Sequence, residues 1–214
     1  METPEERYIR AHSTPQGEAL SWLERQTHLR TNYPQMLSGA VQGRFLTLLA
    51  ALTGARNILE IGTFTGYSAI CLASGMLPDG HLDTLEINDE LEDLIREGFR
   101  RAGVSEKISL HIGDAKETLK ALRQAGKVYD LVFIDANKRE YPDYYDAVFD
   151  MVRPGGCILA DDVLWDGKLY GAEIPGDSQS RGISAFNDMV RNDPRVEVVM
   201  LPIRDGLSLI RKKA

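Results

Sequence analysis

Val132-Phe133-Ile134-Asp135-Ala136-Asn137-Lys138 is an apolar run that breaks off in a carboxylate. Leu159-Ala160-Asp161-Asp162-Val163-Leu164-Trp165 does the same further along the chain. A short apolar run suits a strand buried on both faces of a parallel sheet. Ligands of open α/β sheets bind outside the carboxyl ends of such strands. Two neighbouring strands of this kind bring Asp135, Asp161 and Asp162 together, with Lys138 one turn beyond the first. Oxygen ligands alone suit a hard divalent cation, Mg²⁺ foremost, with Ca²⁺ or Mn²⁺ as alternatives. A lysine beside that cation is a candidate base. The competing reading makes these aspartates caps of the following helices. Three of them at one edge, beside a cofactor segment, favour the cation.

That cofactor segment is Asn57-Ile58-Leu59-Glu60-Ile61-Gly62-Thr63-Phe64-Thr65-Gly66-Tyr67-Ser68. A strand runs into glycines and then into a helix. Gly62 and Gly66 permit a tight turn and a close approach of backbone to ligand. Their G-x-x-x-G spacing is neither the dinucleotide fingerprint nor a phosphate-binding loop. Glu60 inside the strand end argues against pyrophosphate and suits a cationic ligand such as an ammonium group. Glu86 ends the next strand, His81-Leu82-Asp83-Thr84-Leu85-Glu86, 26 residues after Glu60. An acid so placed fits both hydroxyls of a ribose. A third strand, Ile108 to Ile112, leads into Gly113-Asp114-Ala115, a resting place for an adenine.

From Asn57 onward strand and helix patterns alternate, which predicts a parallel sheet with crossover helices. Strands are expected at 57–61, 81–86, 108–112, 129–134, 156–160, 196–201 and 207–211. Helices are expected at 66–77, 89–102, 115–125, 140–152 and 180–192. Pro154-Gly155-Gly156 reads as a break between helix and strand. Pro202 to Gly206 links the last two strands closely enough for an antiparallel hairpin. Residues 1–50 read as two or three helices, broken at Gly17 and Gly39, with Trp22, Leu23, Leu29, Met36, Phe45, Leu46, Leu48 and Leu49 as apolar faces. One domain over 1–214 is expected, with 55–214 as its α/β core. The longest unpatterned stretch, Trp165 to Asp177, follows the acidic cluster, where long loops are more often functional than idle.

The chain has 214 residues, 43% hydrophobic and 27% charged, ordinary globular values. A net charge of −7 disfavours nucleic acid as a partner. Arg96, Arg100, Arg101 and Lys107 read as one solvated helix face rather than a basic patch. There is no apolar run long enough to span a membrane. Met1 to Glu6 is acidic and lacks a signal core, so a cytoplasmic protein is expected. Cys71 and Cys157 read as buried thiols, without zinc spacing. His12, His28, His81 and His111 are scattered and show no evident partner.

These pieces together resemble the cation-dependent S-adenosylmethionine O-methyltransferases of the caffeoyl-CoA and catechol type. The resemblance runs from about Met36 to Leu209. It rests on Met36-Leu37-Ser38-Gly39 with Gln42-Gly43, the Glu60 to Ser68 loop, Leu85-Glu86-Ile87-Asn88 and Gly113-Asp114-Ala115. Asp135-Ala136-Asn137-Lys138, Asp161-Asp162-Val163-Leu164-Trp165 and Pro202-Ile203-Arg204-Asp205-Gly206-Leu207 complete it. It implies a Rossmann-like methyltransferase domain with a seven-stranded, mostly parallel sheet and helices on both faces. An antiparallel hairpin would close the chain, and a helical extension would open it.

The resemblance also implies site residues. Met36, Ser38, Gly62, Thr63 and Ser68 would line the methionine end of S-adenosylmethionine, with Glu60 close by. Glu86 would hold the ribose, and Asp114 with Ala115 the adenine. Asp135 would serve cofactor, metal and substrate together, and Trp165 and Asp166 would border the acceptor. Two oxygens on adjacent aromatic carbons would chelate the cation, which acidifies the attacking hydroxyl. Lys138 would take the proton, provided the cation depresses its pKa. Homodimerisation is the family habit.

Two positions depart from the family. Asp162 replaces the usual Asn after the second metal aspartate and adds a negative charge. Asp166 replaces the Asn that plant members carry after the Trp. Three rivals stand beside this reading: a nucleotide-dependent oxidoreductase, a non-catalytic S-adenosylmethionine-binding protein, and a tRNA hydroxyl methyltransferase. The glycine spacing opposes the first, intact Lys138 and Asp135 the second, and the acidic balance the third.

Overall fold

Seven strands form one sheet in the order β3-β2-β1-β4-β5-β7-β6 in a computed structural model that describes residues 3–171 and 176–214. The strands are β1 (Asn57–Ile61), β2 (His81–Glu86), β3 (Ile108–Ile112), β4 (Tyr129–Ile134), β5 (Val152–Asp161), β6 (Val196–Leu201) and β7 (Leu207–Lys212). β1 to β5 run parallel, and β7 is antiparallel to both β5 and β6. The expected hairpin is therefore present, with its last strand wedged between β5 and β6.

Alternate residues of the central strands serve two cores, as a sheet covered on both faces requires. Ile58, Leu131, Phe133 and Leu159 face helices α2 (Glu18–Arg30), α3 (Gly39–Leu52), α4 (Tyr67–Gly75) and α5 (Glu92–Ala102). Leu59, Ile61, Val132, Ile134 and Ile158 face α6 (Ala115–Gln124), α7 (Tyr141–Phe149) and α8 (Ser178–Asn192). A further helix, α1 (Pro4–Ala11), buries none of its residues. Among the described residues, no helix is long and apolar enough to cross a membrane.

Several boundaries differ from expectation for local reasons. Pro154-Gly155-Gly156 does not precede β5 but lies inside it. Tyr129 pairs with Val152 and Leu131 with Cys157, so the residues between bulge out of the ladder. There the missing proline N–H costs no ladder bond, and Gly155 takes φ +75°. α7 accordingly ends at Phe149, before the expected 152. α4 begins at Tyr67 because Gly66 is left-handed, with φ +90°. α8 begins at Ser178, where Asp177 caps the N–H groups of Gln179 and Ser180.

The N-terminal helices form where expected, but Leu29, Met36 and Leu48 are exposed rather than packed. α3 buries Gln42, Gly43, Leu46 and Ala50, one stripe at helical spacing, and Leu48 lies off it. Cys71 is buried and Cys157 only half-buried. The histidines do have partners. His111 Nε2 lies 2.8 Å from Asp83 Oδ1, and His81 Nε2 lies 3.0 Å from Ser109 Oγ, across the β2–β3 pairing. His12 and His28 bond backbone carbonyls one turn back. Arg96, Arg100 and Arg101 pair with Glu92 and Glu97 along α5, a solvated face as expected.

Candidate active site

Register places the site. Ile61 lies beside both Leu85 and Ile134, and Ile134 beside Ala160. The next residue of each strand therefore forms a row along one edge: Glu86, Gly62, Asp135, Asp161. Strand order reverses between β1 and β4, so the crevice of an open α/β sheet opens at the middle of this row. Gly62 permits it. Its φ is +99°, and a Cβ there would stand 2.1 Å from the carbonyl oxygen of Asp135.

On the β4–β5 side, one oxygen from each of Asp135, Asp161 and Asp162 lies within 4.8 Å of the others. Burial, together with the Asp135 and Asp162 charges, pushes the Asp161 carboxyl up to about 8. Such a crowded trio, with Asp161 buried and the other two half-buried, fits a divalent cation, which would favour the charged form of Asp161. Lys138 Nζ lies 2.7 Å from Asp135 Oδ1 and 2.9 Å from Asp162 Oδ2. It also donates to the Tyr141 hydroxyl at 2.8 Å. Lys138 is buried, not a solvated residue at a helix start. Burial pulls its ammonium down, but Asp135 and Asp162 hold it well above the ordinary lysine range. Without a cation, Lys138 is thus a counter-ion to Asp135 and Asp162; the sequence reading depresses its pKa only beside a bound cation.

On the β1–β2 side a chain of hydroxyls meets a buried acid. Thr63 and Thr84 hydroxyls lie 2.6 Å apart, and Thr84 donates to Glu60 Oε2 at 2.5 Å. Glu60 is fully buried, and its Oε1 has no partner among the described residues. Burial drives its pKa up to about 8, against the opposing pull of the Ser68 and Thr84 hydroxyls. Glu86 Oε2 accepts the Phe64 N–H at 2.6 Å and Oε1 the Asn88 N–H at 2.9 Å. Each oxygen keeps a lone-pair direction for a further donor. Asp114 caps α6 by accepting from the Lys116 N–H at 2.7 Å, with Ala115 as the first helical residue. Ser38 is buried just before α3, and Met36 ends a short 3-10 turn at Pro34–Met36. An unmet buried carboxylate oxygen between two further acids fits a cofactor with positive charge.

A cleft of about 500 Å³ lies between Gln35-Met36 and the acids Asp161, Asp162, Asp166 and Asp205. Asp166 N–H donates to both oxygens of Asp205 at 2.7 Å. Trp165 packs partly against the core beneath α7 and α8. Tyr170 is exposed and sits over Gly167. Residues 172–175 of the expected loop lie outside the described residues. Phe64, Asp162, Trp165, Asp166 and Arg204 all have positive φ without being glycine, the kind of backbone strain that gathers at functional sites.

A sequence profile described as O-methyltransferase matches residues 10–213. The chain belongs to the O-methyltransferase family. Among the family's named members, caffeoyl-CoA O-methyltransferase 1 of Eucalyptus globulus is 35% identical over 187 residues, 83% of this chain and 75% of that protein. The O-methyltransferase of Bacillus cereus, solved with S-adenosylhomocysteine, superposes with a TM-score of 0.92 at 30% identity, covering 99% of this chain and 98% of that one. TomG of Streptomyces achromogenes, solved with S-adenosylmethionine and involved in tomaymycin synthesis, gives 0.92 at 32% identity, covering 100% and 97%. This O-methyltransferase therefore has the Rossmann-like fold of its family and uses S-adenosylmethionine.

Two side chains of the site, Thr84 and Tyr141, went unread in the sequence, and Gln42 was read only as part of a motif, without a role. Thr84 is a polar residue inside an otherwise buried strand, and that pattern was its signal. Tyr141 follows Lys138 by three residues, the spacing of one helical face. Its hydroxyl donates to the Asp161 carbonyl at 2.9 Å and holds the lysine from below. Gln42 donates to Asp161 Oδ2 at 2.6 Å from 119 residues away, which no local pattern reveals.

Proposed function

We propose that this O-methyltransferase methylates a hydroxyl of a small aromatic acceptor with vicinal hydroxyls, using a divalent cation held by Asp135, Asp161 and Asp162. The observation that carries the reading is the convergence of those three carboxylates beside the β1–β4 crevice. S-adenosylmethionine supplies an electrophilic methyl group, so the chain's task is to align and deprotonate a nucleophile. The cation would acidify the acceptor hydroxyl and fix its direction.

Glu60, Thr63 and Ser68 offer a carboxylate and hydroxyls to the ammonium end of the cofactor. Glu86 offers its remaining lone pairs to the ribose hydroxyls, and the Asp114-Ala115 turn lies where the adenine would rest. Met36 and Ser38 close the methionine end. With Asp135 and Asp162 engaged by a cation, the Lys138 ammonium would lose its own proton to solvent, and the neutral Nζ would then receive the acceptor's proton. Asp166, with Trp165, borders the acceptor. Exposed Leu29, Leu48 and Leu52 on α2 and α3 support a homodimer, which light scattering would reveal.

The test is turnover of S-adenosylmethionine with a panel of vicinal and isolated phenols, with and without chelator. Methylation of vicinal diphenols alone, abolished by chelator and restored by Mg²⁺, supports the reading. Activity that survives exhaustive chelation sinks it.

A further inference from the structure

We infer that Gln42 is a positioning residue of the cation site, setting the carboxylate of Asp161 from the N-terminal helical segment. The inference rests on the proposed cation role of Asp161. Gln42 stands on α3 four residues after Ser38, on the same helical face. Glycines bind that helix closely to α4. A Cβ on Gly43 would meet Cys71 Sγ and a Tyr67 ring carbon at 2.8 Å, and one on Gly75 would meet the Thr47 carbonyl at 2.0 Å. Thr47 Oγ1 also donates across to the Cys71 carbonyl at 2.9 Å. α3 therefore has no room to shift, and it delivers the Gln42 amide to a fixed point.

At that point Gln42 Nε2 donates to Asp161 Oδ2 at 2.6 Å, while the Asp162 N–H donates to Asp161 Oδ1 at 3.0 Å. One donor on each oxygen fixes the carboxylate plane and leaves a lone pair on each for a cation. Gln42 itself is fully buried, and its Oε1 has no partner among the described residues. A buried amide with an unmet oxygen is a costly way to fill space. An apolar side chain of the same length would suit packing alone. The glutamine makes sense for the donor it presents to Asp161. Outer-shell partners of this kind orient carboxylate ligands, and losing one typically weakens metal affinity about 10–100-fold.

The experiment is Mn²⁺ titration of the cation-stripped full chain, followed by electron paramagnetic resonance. Calorimetric S-adenosylmethionine binding and the melting temperature report whether each variant is folded. Gln42→Met keeps the length and removes the donor. It should weaken Mn²⁺ binding about tenfold or more while cofactor binding stays near wild type. Raising Mn²⁺ should recover kcat, a rescue that a purely structural defect would not show. If Gln42→Met does not fold, Gln42→Asn, which withdraws the amide by one methylene, is read the same way. A folded variant that binds Mn²⁺ as tightly as wild type overturns the positioning role alone. A wild type that binds no Mn²⁺ overturns the cation reading and this inference with it.

Discussion

The Gly62 backbone and the Asp135 carbonyl are packed so closely that no side chain fits between them: a Cβ on Gly62 would approach that oxygen to 2.1 Å. Gly62→Ala must push the β1–α4 loop away from β4 and adopt an unfavourable φ as well. It should destabilise the protein by about 2–5 kcal/mol, the sum of overpacking and a left-handed alanine. Urea denaturation reads this directly. A midpoint equal to wild type would mean that the two loops part freely.

Glu86 holds the β1–α4 loop through the Phe64 N–H on one oxygen and accepts the Asn88 N–H on the other, which leaves each oxygen capacity for a further donor. Glu86→Ala should weaken S-adenosylmethionine binding by roughly 1–3 kcal/mol, the scale of a lost hydrogen bond to a charged group. Calorimetry should also show NAD binding far more weakly than S-adenosylmethionine. Equal or tighter binding of NAD would contradict the assignment of this crevice.

Lys138→Ala should lower kcat by about 10²–10⁴-fold, the range for a positioned proton acceptor. Lys138→Arg should not restore it, because a guanidinium stays protonated at any working pH. Steady-state kinetics at saturating Mg²⁺ separates this from cofactor binding. Near-normal kcat in Lys138→Ala would leave the lysine only its observed task of balancing Asp135 and Asp162.

Stability should peak in mildly acidic solution when no cation is present. Glu60 and Asp161 have pKa values raised to about 8 from ordinary values of 4.5 and 3.8. Their folded forms favour the proton, so stability is full below pH about 4 and declines as pH rises towards 8. Asp83 acts in the opposite sense. Burial opposes its charge, but His111, Tyr129 and Lys127 hold its carboxyl down at about 2. Its contribution is present above its unfolded value of 3.8 and is lost as pH falls towards 2. Urea midpoints of chelated protein from pH 3 to 8 should trace this dome, and Glu60→Gln should flatten its alkaline side. A midpoint that rises steadily from pH 5 to 8 would refute it.

Short apolar runs, alternating with helix patterns, made the sheet readable, and β1 to β4 and β6 occupy the residues expected of them. Those strands are short, central or bounded by clear turns, so local pattern and final structure agree. β5 was misjudged because Pro154 and Gly155 are breakers in isolation, whereas a partner strand can absorb them as a bulge. Asp135, Asp161 and Asp162 were legible since strand ends in a parallel sheet share one edge. The charge state of Lys138 was not. It depends on distances of 2.7 and 2.9 Å to two acids that sequence spacing alone cannot supply. The role of Gln42 escaped for a related reason: its partner is remote in the chain and neutral amides carry no charge signature. Leu29 and Leu48 show the converse, apolar residues whose helices turned another side inward.

Arg204 clasps the segment before α3, its Nη1 donating to the Leu37 carbonyl at 2.6 Å and its Nη2 to that of Gln35 at 3.0 Å. The arginine stands on the turn leading into β7, 167 residues after Leu37. Synthesis proceeds from the N-terminus, so a growing chain presents the Met36–Ser38 wall long before the residue that fastens it. Ribosome-bound chains lacking the β6–β7 hairpin should therefore be inactive, and catalysis should appear only once β7 has emerged. Timing of this sort follows from where along the chain the clasp is encoded.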